Sequence, residues 1–177
     1  WKGVTPPPYR LQELVNAISE RETVFFVEGE KDVESLMKIG LTASTLAGGI
    51  GGWDSYDLKD YFNSADLVLI PDNDDAGREG MVKFGERVSR HAKRLRWLEL
   101  PDLRAKGDVS DWLDLNNASA DDFLSLVSRS AKDWPEVFSQ RGSNEGVPAN
   151  HRDDSTIEEL NRGHFFVCRR DGQSLST

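Results

Sequence analysis

The chain has 177 residues, 37% of them hydrophobic and 30% charged, with a formal net charge of -9 at pH 7. That length suits one principal domain plus a tail, and the acidity excludes a protein whose whole surface grips nucleic acid, since non-specific binding is largely phosphate neutralisation by Lys and Arg. One cysteine, Cys168, and three scattered histidines, at 91, 151 and 164, exclude an intrachain disulfide and a structural zinc site within the chain.

No run approaches the roughly 20 apolar residues of a membrane span, and no secretory signal opens the sequence. The expected location is therefore the cytoplasm, with no membrane partner. A start at Trp1 rather than Met reads as a piece of a longer polypeptide.

Residues 1–8, with three consecutive prolines, read as an extended linker. Leu11, Leu14, Val15 and Ile18 fall at helical spacing within 9–20. Residues 23–27 form a first strand that ends at Glu28 and Gly29. A helix over 31–39 buries Val33, Leu36 and Met37, and Gly40 stops it. Residues 41–46 suit a second strand, followed by the glycine run Gly48, Gly49, Gly51 and Gly52, which is either a flexible connection or a backbone cradle for phosphate. It lacks the Lys and Ser or Thr of a P-loop.

A helix over 53–63, with Asp54 or Ser55 near its start, leads to a third strand over 66–70. The longest helix, 75–92, carries Met81, Val82, Phe84 and Val88 as a buried stripe. A fourth strand follows over 94–100, closed by Pro101, then an acidic turn at 106–113 and a short helix over 121–131. Strands alternating with helices imply an α/β fold: about four parallel strands with helices on both faces and right-handed crossovers. Residues 139–155 read as a second linker, and 156–177 as the start of a following region or a disordered tail. There is no internal repeat.

The chemistry lies where the apolar runs stop. Ligands bind in the crevice at the carboxyl ends of strands in an open parallel sheet, and Val24-Phe25-Phe26-Val27-Glu28 and Leu67-Val68-Leu69-Ile70-Pro71-Asp72-Asn73-Asp74 both deliver acids there. Residues two apart in extended chain point the same way, so Asp72 and Asp74 can share the crevice while Asn73 faces elsewhere. Three convergent carboxylates call for a hard cation, Mg²⁺ with Mn²⁺ as a substitute. The alternative for Asp74 or Asp75 is capping of the next helix. Glu28 can act as a ligand or as a general acid or base if burial and neighbouring charge raise its proton affinity. Asp32 either caps its own helix, the favoured reading, or joins the acids. Lys83, Arg87, Arg90, Lys93, Arg94 and Arg96 are either a solvated face or phosphate contacts.

The segments Glu28-Gly29-Glu30-Lys31-Asp32 and Asp72-Asn73-Asp74-Asp75-Ala76-Gly77-Arg78 resemble the Toprim domain, a Rossmann-like fold shared by bacterial-type primases, type IA and II topoisomerases, OLD-family nucleases and recombination-repair proteins. The resemblance covers about residues 22–115 of a domain set at 9–135. It implies that Glu28 is the general acid or base and that Asp72 and Asp74 bind Mg²⁺. Asp32 matches a further acidic position of the primase branch. Lys106-Gly107-Asp108-Val109-Ser110-Asp111-Trp112-Leu113 is similar to segments of phage and plasmid primases and primase-helicases, which makes Asp108 and Asp111 candidates for a secondary metal site; alternatively Asp111 caps the helix of Trp112.

On this resemblance the expected activity is magnesium-dependent nucleotidyl transfer, making primers on single-stranded DNA from nucleoside triphosphates. Lys31, Arg78, Lys83 and Arg87 would meet phosphates, with a surface ion pair as the alternative for Arg78. The family implies an upstream zinc-binding module, a downstream helicase-type ATPase and a bacterial host cell. The zinc-binding module and the basic subdomain of such primases are missing from these 177 residues. The competing readings are an OLD-like nuclease that hydrolyses phosphodiesters with the same acids, and a non-catalytic module that seats DNA or a partner.

Overall fold

Successive side chains of β1 (Thr23–Phe26) point to opposite faces, and from Val24 onward both faces are buried, which is why that run is apolar. The computed structural model describes residues 6–47, 49 and 56–134. The second linker from 139 and the tail beyond it, most of the first linker, most of the glycine run and the start of the 53–63 helix lie outside those residues.

β1 sits between β2 (Ala43–Ser44) and β3 (Asp66–Leu69), and β3 is followed by β4 (Arg94–Trp97), all parallel, in the order β2-β1-β3-β4. The register aligns Phe26 with Leu69 and Leu69 with Trp97. Val24 and Phe26 join Leu67, Leu69, Leu95 and Trp97 in one half of the core, with side chains of α1 (Leu11–Glu20), α3 (Leu58–Phe62) and α4 (Asp75–Val88). Phe25, Val27, Val68 and Ile70 form the other half with α2 (Glu30–Lys38), α5 (Val109–Asn116) and α6 (Ala120–Ser130). Phe26 stacks on Phe84 at 4.2 Å, and Phe25 meets Phe123 edge-on at 5.3 Å. Each such fully buried ring contributes about 1.5–3 kcal/mol, so β1 pins both layers.

The α/β architecture and the four parallel strands agree with the sequence reading. A fifth strand does not appear in it: β5 (Lys132–Asp133) pairs antiparallel with β4, Arg96 opposite Asp133. Two exposed polar residues carry no strand pattern. What secures them is Trp134, which packs 6.0 Å from Trp97 and lies over Gly85, where an added Cβ would overlap the indole. α4 stops at Val88 instead of Ala92, because His91 turns back and its carbonyl accepts from the Ser64 N–H at 3.0 Å. Within the described residues α3 starts at Leu58, with Asp57 as its N-cap accepting from the Lys59 N–H.

Candidate active site

Glu28 leaves β1 directly beside the exit of β3. Its Oε1 accepts from the Asp72 N–H at 3.0 Å, a contact between residues 44 apart in sequence. Gly77, in the first turn of α4, is buried, and a Cβ there would intrude on Glu28 Oε1 and stand 3.2 Å from the Asp72 Cβ. Any side chain there would push Glu28 off the Asp72 amide, so glycine is what lets the helix pass the two acids with that bond intact. Asp74 is the N-cap of α4, its Oδ1 accepting from the Gly77 N–H at 2.7 Å. This is the capping arrangement foreseen for that residue, and it leaves Asp74 near enough to repel the Glu28 carboxylate.

Electrostatics marks these acids as one cluster. Burial, then repulsion from Glu28, Asp32, Asp108 and Asp74, pushes the Asp72 carboxyl up to about 7. Glu28 is also raised, first by burial and then by Asp74 and Asp32, against the opposing pull of the Asp72 amide. None of the described residues donates a hydrogen bond to the Asp72 carboxylate.

Asp32 corrects the favoured sequence reading. The N-cap of α2 is Gly29, with no side-chain bond. Asp32 is instead 4% exposed, and its Oδ1 accepts from both the Ser110 N–H at 3.0 Å and the Ser110 hydroxyl at 2.7 Å. Burial raises its proton affinity, which the two Ser110 bonds offset only in part. It ties α2 to α5 from one turn behind the crevice. Ser110 is the partner that sequence reasoning missed, although it stands inside a motif already singled out.

Asp108 and Asp111 form a reciprocal capping box at the start of α5: Asp108 Oδ1 accepts from the Asp111 N–H at 2.8 Å, and Asp111 Oδ2 from the Asp108 N–H at 3.4 Å. So Asp108, rather than Asp111, is the N-cap. Asp108 also receives Lys31 Nζ at 2.9 Å. Burial pushes its carboxyl up, but the Asp111 amide and Lys31 outweigh burial and hold it below the usual range. Arg104 reaches Asp111 at 3.3 Å.

The cations divide into two groups. Lys31 and Arg78 flank the acids, Arg78 donating to Asn73 Oδ1 and standing 3.6 Å from Glu99. Lys83 pairs with Glu79 at 2.6 Å on the exposed side of α4. Arg87 lies about 18 Å along α4 from its first residue, beside a cavity of about 360 Å³ shared with Tyr56, Asp57, Leu58, Arg90 and His91.

Among the described residues no three Asp, Glu, His or Cys side chains stand poised as a closed metal cage. The physical reason is that each acid except Asp72 is turned toward an internal donor. The donor set nonetheless fits a hard divalent cation: it is all carboxylate oxygen, and it carries mutual repulsion that a cation would relieve.

The mostly parallel sheet, covered by helices on both sides, matches the fold of solved DNA primase catalytic cores. The chain is similar to a DNA primase domain from Pseudomonas aeruginosa, with a TM-score of 0.65 and 24% identity over 82% of this chain and 45% of that one. It is likewise similar to the E. coli primase catalytic core, with a TM-score of 0.61 and 20% identity over 77% of this chain and 42% of that one. A DnaG catalytic core matches with a TM-score of 0.52 and 20% identity over 75% of this chain and 43% of that one. At these identities the likeness is one of fold, and the chain spans less than half the length of each of these structures. No protein-family model and no curated protein sequence matches the chain.

Proposed function

We propose that this chain is the Toprim catalytic domain of a replication primase or primase-helicase of phage or mobile-element type, making primers from nucleoside triphosphates on single-stranded DNA. The observation that carries the reading is the convergence of Glu28, Asp72 and Asp74 at the carboxyl ends of β1 and β3, within a fold shared with primase cores. Asp72 and Asp74 would hold Mg²⁺, or Mn²⁺ in its place, with Glu28 beside them. A cation held by these residues would supply charge neutralisation for the phosphate oxygens of the triphosphate. Glu28, whose proton affinity is raised, takes the proton from the primer 3′-hydroxyl on the carboxylate oxygen not engaged by the Asp72 amide. The 3′ oxygen bonds to the α-phosphorus, the α–β bridging bond breaks, and pyrophosphate leaves. Lys31 and Arg78 stand where they can steady phosphate charge.

Template holding and strand separation belong on this reading to further domains of the same polypeptide, an upstream zinc-binding module and a downstream helicase-type ATPase. The test is incorporation of labelled ribonucleotide on single-stranded DNA with Mg²⁺, run beside plasmid nicking, for the chain within its full-length parent and its Asp72→Asn variant. Incorporation lost in the variant supports the proposal. Nicking without incorporation, also lost in the variant, would replace it with a Toprim nuclease. DNA binding without turnover would leave a non-catalytic module.

A further inference from the structure

Asn73 stands between the two aspartates, and every polar group it owns is engaged. Its N–H donates to the Gly107 carbonyl at 2.9 Å, and its carbonyl accepts from the Lys106 N–H at 3.0 Å. Its side-chain Nδ2 donates to two carbonyls, Leu103 at 2.8 Å and Arg104 at 2.9 Å, and its Oδ1 accepts from Arg78. The turn it grips has one bond of its own, Gly107 N–H to the Arg104 carbonyl at 2.9 Å, set against a conformational cost: Asp102 and Lys106 both sit in the left-handed region, at φ 60 and 62, which costs any residue with a Cβ. A Cβ at Gly107 would stand 3.0 Å from the Arg104 carbonyl, so the turn is also closely wound. Immediately after it comes Asp108, which carries Lys31 and caps α5.

The chemistry admits only an amide. Two backbone carbonyls need two N–H donors and Arg78 needs an acceptor, and of the twenty side chains asparagine offers both at this length. Aspartate has the same shape and would keep Arg78, but it would set a carboxylate oxygen against the Leu103 and Arg104 carbonyls.

We infer that Asn73 is a positioning residue that locks the 103–107 turn, and with it Asp108 and Lys31, at a fixed separation from Asp72 and Asp74. It gives the site two rims of set spacing: the strand-end acids on one side and the Lys31–Asp108 pair on the other. The inference rests on the proposed metal site for its functional meaning, while the clamp itself is read without metal.

The test uses the full chain, with Asn73→Asp and Asn73→Ala. Amide hydrogen exchange in metal-free protein should speed up about tenfold at Asn73 and Lys106 in both variants, with Val68 and Leu69 in β3 unchanged. Mn²⁺ affinity, followed by electron paramagnetic resonance, should fall about fivefold or more in Asn73→Asp. That direction is diagnostic, because an added carboxylate next to a cation site raises affinity if charge alone acts. Unchanged exchange in Asn73→Asp, or tighter Mn²⁺ binding with exchange unchanged, overturns the clamp. Wild-type protein that binds no Mn²⁺ would sink the metal reading while the exchange data still decide the clamp.

Discussion

Raising the pH from 4 to 8 should destabilise this protein, and the Asp72→Asn variant should escape most of that loss. The Asp72 carboxyl is pushed up to about 7 by burial and by the acids around it, against an ordinary value of about 3.9 in the unfolded chain. Between these values the folded state holds a proton that the unfolded state has already released. Stability therefore falls as pH rises through that window, and is flat above and below it. A difference of about 3 in pKa corresponds to about 4 kcal/mol, which solvent screening of a half-exposed carboxyl cuts to about 2 kcal/mol. For a domain of this size that is a shift of roughly 6–10 °C in Tm. Thermal melts of wild type and Asp72→Asn across the range, without metal, check it: the two should coincide near pH 4 and separate by that amount near pH 8. Parallel curves would refute the assignment of strain to Asp72. Millimolar Mg²⁺ should then stabilise wild type more at pH 8 than at pH 5, since metal and proton compete for the same oxygens, and should leave Asp72→Asn almost unmoved.

Two glycines in α4 should both fall short of the usual gain of about 1 kcal/mol for Gly→Ala in a helix, by different amounts. Gly77→Ala displaces the flexible end of Glu28 and breaks its bond to the Asp72 amide, so urea unfolding should show a net change near zero, about 1–2 kcal/mol below the partly exposed control Gly80→Ala; Mn²⁺ affinity should drop with it. Gly85→Ala meets the indole of Trp134 with no flexible end to yield, and should cost about 1–3 kcal/mol while freeing β5 to exchange its amides. A stabilised Gly85→Ala protein would contradict the packing of Trp134.

The strands that carry the site were legible because burial on both faces leaves an unmistakable mark. Val24 to Val27 and Leu67 to Ile70 are apolar at every step, and an acid at the end of such a run has few other reasons to be there. Glu28, Asp72 and Asp74 were singled out on that ground. Partners drawn from the far end of the chain left no comparable trace. The role of Asp32 is set by Ser110, 78 residues away, and that of Asn73 by carbonyls of a turn 30 residues on; backbone acceptors have no sequence signature at all. The Asp108 and Asp111 spacing is that of a capping box and was open to that reading. β5 was invisible because its two residues are polar and exposed, and what anchors them comes from elsewhere in the chain: the packing of Trp134 on Trp97 and the Arg94–Asp133 pair at 3.4 Å.

Where a divalent cation binds decides most directly whether the strand-end acids form a metal site. Mn²⁺ titrated into isotope-labelled protein broadens the amide resonances near its site, so the spectrum maps it residue by residue. Broadening confined at low occupancy to Gly29, Asp72 to Gly77 and the start of α5, and abolished by Asp72→Asn with Asp74→Asn, is the expected result. Broadening centred elsewhere, or unaltered in the double variant, would contradict the claim that the strand-end acids form the catalytic metal site.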